Sequence, residues 1–163
     1  MTNSKAENKD YLHVDDYFID KANSEGKIIT NKKLQKLVYY AQAWSVVLNN
    51  EPLFSDKIEA WVHGPAIKSL YVKYKDFGFN PIRKDISPTK INVISSKTKK
   101  LLGSIWDVYG KLDAGYLELL THSEKPWQDA RAGLESHASS DAEITIASMR
   151  SFYSEKLKET STK

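Results

Sequence analysis

Few side chains in this sequence could do chemistry, and the densest group of them is Glu59, Trp61 and His63 in the stretch EAWVH. If that stretch is extended, Glu59, Trp61 and His63 point to one side and Ala60 and Val62 to the other, because successive strand residues alternate faces. A carboxylate beside an imidazole can polarise it for general-base work. The same pair could equally form a hydrogen bond that fixes the turn before Gly64. No nucleophile accompanies the pair: the sequence holds no GxSxG elbow, no GxxxxGK phosphate loop and no GxGxxG. Of the other histidines, His122 sits in the dense run THSEKPWQDAR, whereas His13 and His137 stand in polar surroundings without an evident partner. No HExxH, HxxxH or paired Asp/His spacing converges on a metal, and with no cysteine there is no zinc ribbon, thiol nucleophile, iron–sulfur cluster or disulfide framework. The expectation is a protein without catalytic, cofactor or metal residues.

The elements that would position these groups read mainly as helices. Val14, Phe18, Ile19 and Ala22 make one face of a first helix that Asn23 to Gly26 ends. Thr30 can cap a second, on which Leu34, Leu37, Val38, Ala41, Trp44, Val47 and Leu48 trace a broad stripe widened by Tyr39, Tyr40 and Val46. That breadth predicts a central helix packed on several sides. Ile58–Val62 suits a brief strand or an extended segment. Gly64 and Pro65 are expected to form a corner leading into a helix that runs to about Phe77 and stops at Gly78. Lys90–Ile94 reads as a second short strand. Ser95 or Ser96 then caps a helix through Tyr109, Asp113–Thr121 forms another, and Pro126 and Trp127 start and anchor a shorter one. Thr145 caps the last helix, with Ile144 and Met149 placed as a hydrophobic staple. The expected fold is mainly α: a compact single-domain bundle of about six or seven helices with up to two short strands.

The 163 residues, 40% hydrophobic and 28% charged, match one domain of ordinary size. Residues 1–12 and 160–163 read as flexible tails flanking a domain over 13–159. Met1–Asp10 is polar and lacks the apolar core of a signal peptide, and no apolar run approaches the roughly 18 residues of a membrane helix. A cytoplasmic protein without membrane contact is the expectation. The formal charge is only +3. Lys68–Lys100, however, carries nine basic residues against Asp76 and Asp85. Such a segment could face phosphates or an acidic protein surface, or could simply be solvated. No helix-turn-helix or basic-arm pattern supports nucleic-acid binding. Asp15 and Asp16, near the start of a helix, are explained by its positive end.

Two blocks make the sequence recognisable. KLQKLVYY (Lys33–Tyr40), AQAW, EPLF, IEAWVHGPA (Ile58–Ala66) and LYVKYKDFG form the first, and LTHSEKPWQDAR (Leu120–Arg131) the second. In order and spacing they resemble the SocA-like or Panacea antitoxin domain, the GepA family of phage-associated proteins, from about Val14 to Tyr153. Ser45 stands where a histidine often follows the tryptophan. Asn50 replaces the usual glycine before the PLF turn, which asparagine can imitate by adopting left-handed backbone.

The resemblance implies a non-enzymatic antitoxin that binds a toxin encoded by an adjacent gene, in a family that pairs one domain with many unrelated toxins. Neutralisation by occlusion and handover to a protease both remain open. A mobile-element accessory protein acting on a host factor and a nucleic-acid-binding autoregulator are the competing readings. Most signature residues are core or corner residues, Gly64, Pro65, Pro126 and Trp127 among them. The candidates for partner binding are Gln35, Gln42, Trp61, His63, Tyr71, Tyr74, His122 and Arg131, with Glu59 beside them. Glu124 and Arg131 could form an exposed pair, an interaction contributing about 0 to 1 kcal/mol.

Overall fold

A broad apolar stripe needs neighbours on every side, and the helix that carries it sits at the centre of the molecule. The computed structural model describes residues 13–161; the expected tail 1–12 lies outside the described residues, as do the last two positions. Helix α1 spans Val14–Glu25 and α2 spans Asn31–Leu48. Thr30 caps α2, its hydroxyl accepting from the Lys33 amide at 3.2 Å. Fourteen of the eighteen α2 residues are buried, which only a helix surrounded by others achieves.

The strand expected at Ile58–Val62 is β1, Ile58–Trp61. It pairs antiparallel with β2, Gly64–Ala66, in the register Glu59 to Ala66 and Trp61 to Gly64. The Gly64–Pro65 corner is therefore the second arm of a hairpin, and α3 begins only at Lys68. Gly64 adopts φ +112°, which lets the chain reverse after Val62 and His63. Pro65, lacking an amide proton, is tolerated in an outer strand. Helix α3 (Lys68–Tyr74) tightens into a 3₁₀ turn over Lys75–Phe77 that ends at Gly78.

Lys90–Ile94 is not a strand. Ser87 and Pro88 supply a cap and a first-turn proline, and the segment forms the short helix α4, Pro88–Asn92. Val93 is exposed and has no strand partner, so β-branching did not decide the conformation. Helices α5 (Ser96–Tyr109), α6 (Ala114–His122) and α7 (Lys125–Ala130) follow, the first two capped by Ser95 and Asp113. Strand β3, Glu143–Ile144, joins the free side of β1 to give the order β2-β1-β3. Helix α8 runs from Ile146 to Ser161, beyond the expected boundary at Glu159. Thr145 caps it through the Ser148 amide at 3.0 Å, with both staple residues, Ile144 and Met149, buried. Among the described residues, eight α-helices around one small sheet make a mainly α fold; α4 is the helix the sequence did not announce.

One apolar cluster joins α1, α2, α5, α8 and the sheet through residues such as Phe18, Leu37, Leu102, Ile144 and Tyr153. It encloses a hydroxyl network. Tyr40 and Tyr153 donate to one oxygen of Glu124 at 2.9 and 2.6 Å, which leaves Tyr39 to donate to the Tyr153 oxygen at 3.0 Å. Tyr40 stacks on Tyr109 with ring centres 4.0 Å apart, and the Tyr109 hydroxyl accepts from the Trp44 indole at 2.9 Å. Burial raises the Glu124 carboxyl above its ordinary range and the Tyr109 hydroxyl to about 12.

Candidate functional site

The first turns of α2 place Asn31, Lys32, Gln35 and Lys36 toward the hairpin, while α3 brings Lys68 and Tyr71 to the same space. Between these elements lies a groove of about 960 Å³. Trp61 and Tyr71 form one wall, ring edge to ring face at 5.2 Å. Trp61 is oriented by its own strand, its indole donating to Glu59 at 2.8 Å. Tyr71 is 42% exposed, and Phe79, farther out on the rim, is 96% exposed.

A polar cluster adjoins the groove. Glu118 on α6 accepts from the His63 Nδ1 at 3.0 Å with one oxygen and pairs with Lys32 through the other. Burial alone would raise its carboxyl; the hydrogen bonds from Lys32 and His63 outweigh that and hold it below the ordinary range. His122 stacks on Trp127 at 3.9 Å, and its Nε2 is buried without a hydrogen-bond partner, 4.0 Å from Glu118. Burial holds the His122 ring below the usual histidine range.

Lys36 is the least ordinary member. It is 3% exposed, and its ammonium finds a single carbonyl, Pro65 O, at 3.5 Å. An ammonium has three donors, so two lack a protein acceptor. Burial, aided by the nearby Lys32, pushes Lys36 down to about 7. Lys33, one turn away and also buried, contrasts with it by donating to Gly110 O at 2.6 Å.

The candidates separate into two groups. Trp61, His63 and Tyr71 line the groove, and His122 lies behind it. Gln35 contributes to its floor, but its amide is spent on structure, accepting from the Ile67 amide at 2.8 Å and donating to Asn31 at 3.2 Å. Gln42 does the same elsewhere, accepting from Leu53 N at 2.7 Å and donating to Phe54 O at 3.0 Å. Tyr74 is buried against Asp15, donating at 2.6 Å. Arg131 is buried as well: it donates to the carbonyls of Ala60, Glu135, Ser136 and Ala138 and lies over the Trp127 ring. The surface pair expected between Glu124 and Arg131 does not form, because both are buried with other partners. Nor do Glu59 and His63 meet; Glu59 serves Trp61 and His63 serves Glu118.

Sequence reasoning missed Lys32, Lys36 and Glu118. The two lysines carried a signal, since polar residues on a helix packed all round must point inward somewhere. Nothing marked Glu118. Asp15 and Asp16 are more than helix-end charges: both are buried and paired with Lys73 at 2.9 Å and Lys84 at 3.2 Å, with His13 on Asp16 at 3.1 Å. With Lys97 on Glu51, these pairs neutralise part of the basic Lys68–Lys100 segment. Lys68 and Lys75 remain on the groove's rim.

Among the described residues no group of three His, Cys, Asp or Glu is placed to hold a metal, and no helix is long and apolar enough to cross a membrane. The model of one protein family, antitoxin SocA-like, Panacea domain, matches residues 34–128. No curated protein and no solved structure matches the chain.

Proposed function

Because this chain belongs to the SocA-like Panacea antitoxin family, we propose that it is an antitoxin that neutralises a protein toxin, encoded by an adjacent gene, through direct binding. In this reading it acts in the cytoplasm by occupying its partner, with no catalytic step of its own and no cofactor. The observation that carries the reading is the family match, which covers α2 from Leu34 onward, the hairpin, α3 and α6, and with them most but not all of the groove's lining. Exposed Tyr71 and Phe79 beside half-buried Trp61 support it, since aromatic side chains dominate the energetics of protein interfaces. The pairing of Lys73, Lys84 and Lys97 with carboxylates weakens the case for nucleic acid.

Co-expression with the neighbouring reading frame tests the proposal. Growth of cells producing that toxin should be restored, and the two proteins should co-elute in size exclusion. A toxin that still kills and elutes separately overturns the antitoxin assignment. Co-elution without growth rescue would favour an accessory protein that binds without neutralising. Loss of rescue in cells lacking one housekeeping protease would mark handover rather than occlusion.

A further inference from the structure

A buried amine with too few acceptors at the inner end of an aromatic-walled groove asks for an anion. Four lysines line the groove, Lys32, Lys36, Lys68 and Lys75, against Glu59 and Asp141. The lining runs from the buried Lys36 to the fully exposed Phe79. A ligand using both ends must begin inside and continue over the surface, which a polypeptide does and a small enclosed molecule does not.

We propose that this groove takes a short acidic segment of the partner, one carboxylate lodging against the Lys36 ammonium beneath Gly64 and a neighbouring apolar or aromatic side chain packing on Trp61 and Tyr71. The antitoxin reading supplies only the identity of the partner. The carboxylate supplies the acceptors that the ammonium lacks, and the desolvated setting strengthens the charge-assisted bond. The groups facing Lys36 are Lys32 on its own helix, Glu118 and His122 from α6, and His63 from the hairpin. Glu118 bonds Lys32 and His63, and its charge favours the Lys36 ammonium only in part, too little to offset burial.

Binding of this kind takes up a proton when Lys36 is neutral. Lys36 is held near 7 in the free protein, so affinity for a carboxylate should be greatest below about pH 7 and fall with rising pH, by up to about tenfold per unit.

The test uses the full chain and labelled peptides in a Gly/Ser frame with a central Phe-Glu-Leu, Phe-Gln-Leu or Phe-Lys-Leu, read by fluorescence anisotropy, with glutarate as a small-molecule control. The Glu peptide should bind about tenfold tighter than the Gln peptide near neutral pH. Lys36→Met, checked for an intact melting transition, should erase that preference and its pH dependence, and Tyr71→Ala should weaken every peptide. Calorimetry in buffers of different ionisation enthalpy should show proton uptake above neutral pH in the wild type and none in Lys36→Met. Equal affinity for the Glu and Gln peptides, or no peptide binding at all, overturns the proposal. Glutarate binding as tightly as the Glu peptide overturns it too, by making the groove a small-molecule site. Growth rescue by Lys36→Met separates the two readings: full rescue leaves the antitoxin function standing and removes the groove from it.

Discussion

Lys36 passes through the space where a side chain on residue 64 would begin: a β-carbon on Gly64 would stand 2.6 Å from Lys36 Cε and 3.0 Å from Thr121 Oγ1. Gly64 thus answers two demands, a backbone at φ +112° and a vacancy for the lysine. Gly64→Ala should destabilise the protein by about 1 kcal/mol or more through backbone strain alone, read by urea denaturation. The penalty should shrink when Lys36 is also alanine, because the closer of the two steric contacts is removed. An equal penalty in both backgrounds would show that the close approach does not matter.

Gln42→Ala should cost about 1 to 3 kcal/mol. The amide holds Leu53 N and Phe54 O, and its loss leaves both backbone groups to find other partners. Hydrogen exchange should show faster opening at Leu53 in the variant. A melting temperature equal to wild type would contradict the role assigned to this side chain.

Glu124 links stability to pH with a definite sign. Burial raises its carboxyl above 4.5 in the folded protein, so folding favours the protonated form. Its contribution is fully present below the unfolded value and is lost as pH rises through the folded one. Glu124→Gln should remove that dependence, so the stability of wild type relative to the variant should decline from about pH 4 toward pH 7. A constant difference across that range would count against it.

Asp16 carries the opposite sign. Burial would raise its carboxyl, but hydrogen bonds from His13 and Lys84 and the charge of Lys84 hold it below 3.8. Its stabilisation is present above the unfolded value and is lost as pH falls through the folded one. Asp16→Asn should cost about 1 to 3 kcal/mol at neutral pH and much less in strong acid. Equal cost at both ends would show that the charge is not what stabilises.

Except for α4, whose Lys90–Ile94 stretch read as a strand, the helices were legible in the sequence because they carry local signals. Thr30, Ser95, Asp113 and Thr145 cap them, and the stripe on α2 demanded a central place. The hairpin was half legible: β1 showed its β-branched and aromatic pattern, while Gly64 and Pro65 read as a helix entry because both residue types serve either turn. Strand β3 is two residues long and exists only by pairing with β1, which no local pattern announces. At the groove, Trp61, His63 and Tyr71 followed from the signature and from alternation along the strand. The inward turn of Gln42, Tyr74 and Arg131 did not, because their partners are backbone groups of loops and, for Tyr74 and Arg131, also Asp15 and the Ala60 carbonyl far away in sequence, none of which a local pattern marks. Lys36 needed the direction of its side chain, which periodicity places only to within a face.

Helix α8 supplies Tyr153 to the hydroxyl network and follows the strand that completes the sheet, and both lie beyond the matched residues 34–128. During synthesis these pieces leave the ribosome after everything they seal. The ribosome adds the 29 residues from Glu124 to Tyr153 in roughly 1.5 to 6 seconds at ordinary rates of translation. Throughout that interval the Glu124 carboxyl lacks one of its two tyrosine donors and the face of α2 that meets α8 stands open. Until α8 docks, the newborn chain therefore shows core surface that the folded protein covers, an opening to proteolysis and clumping.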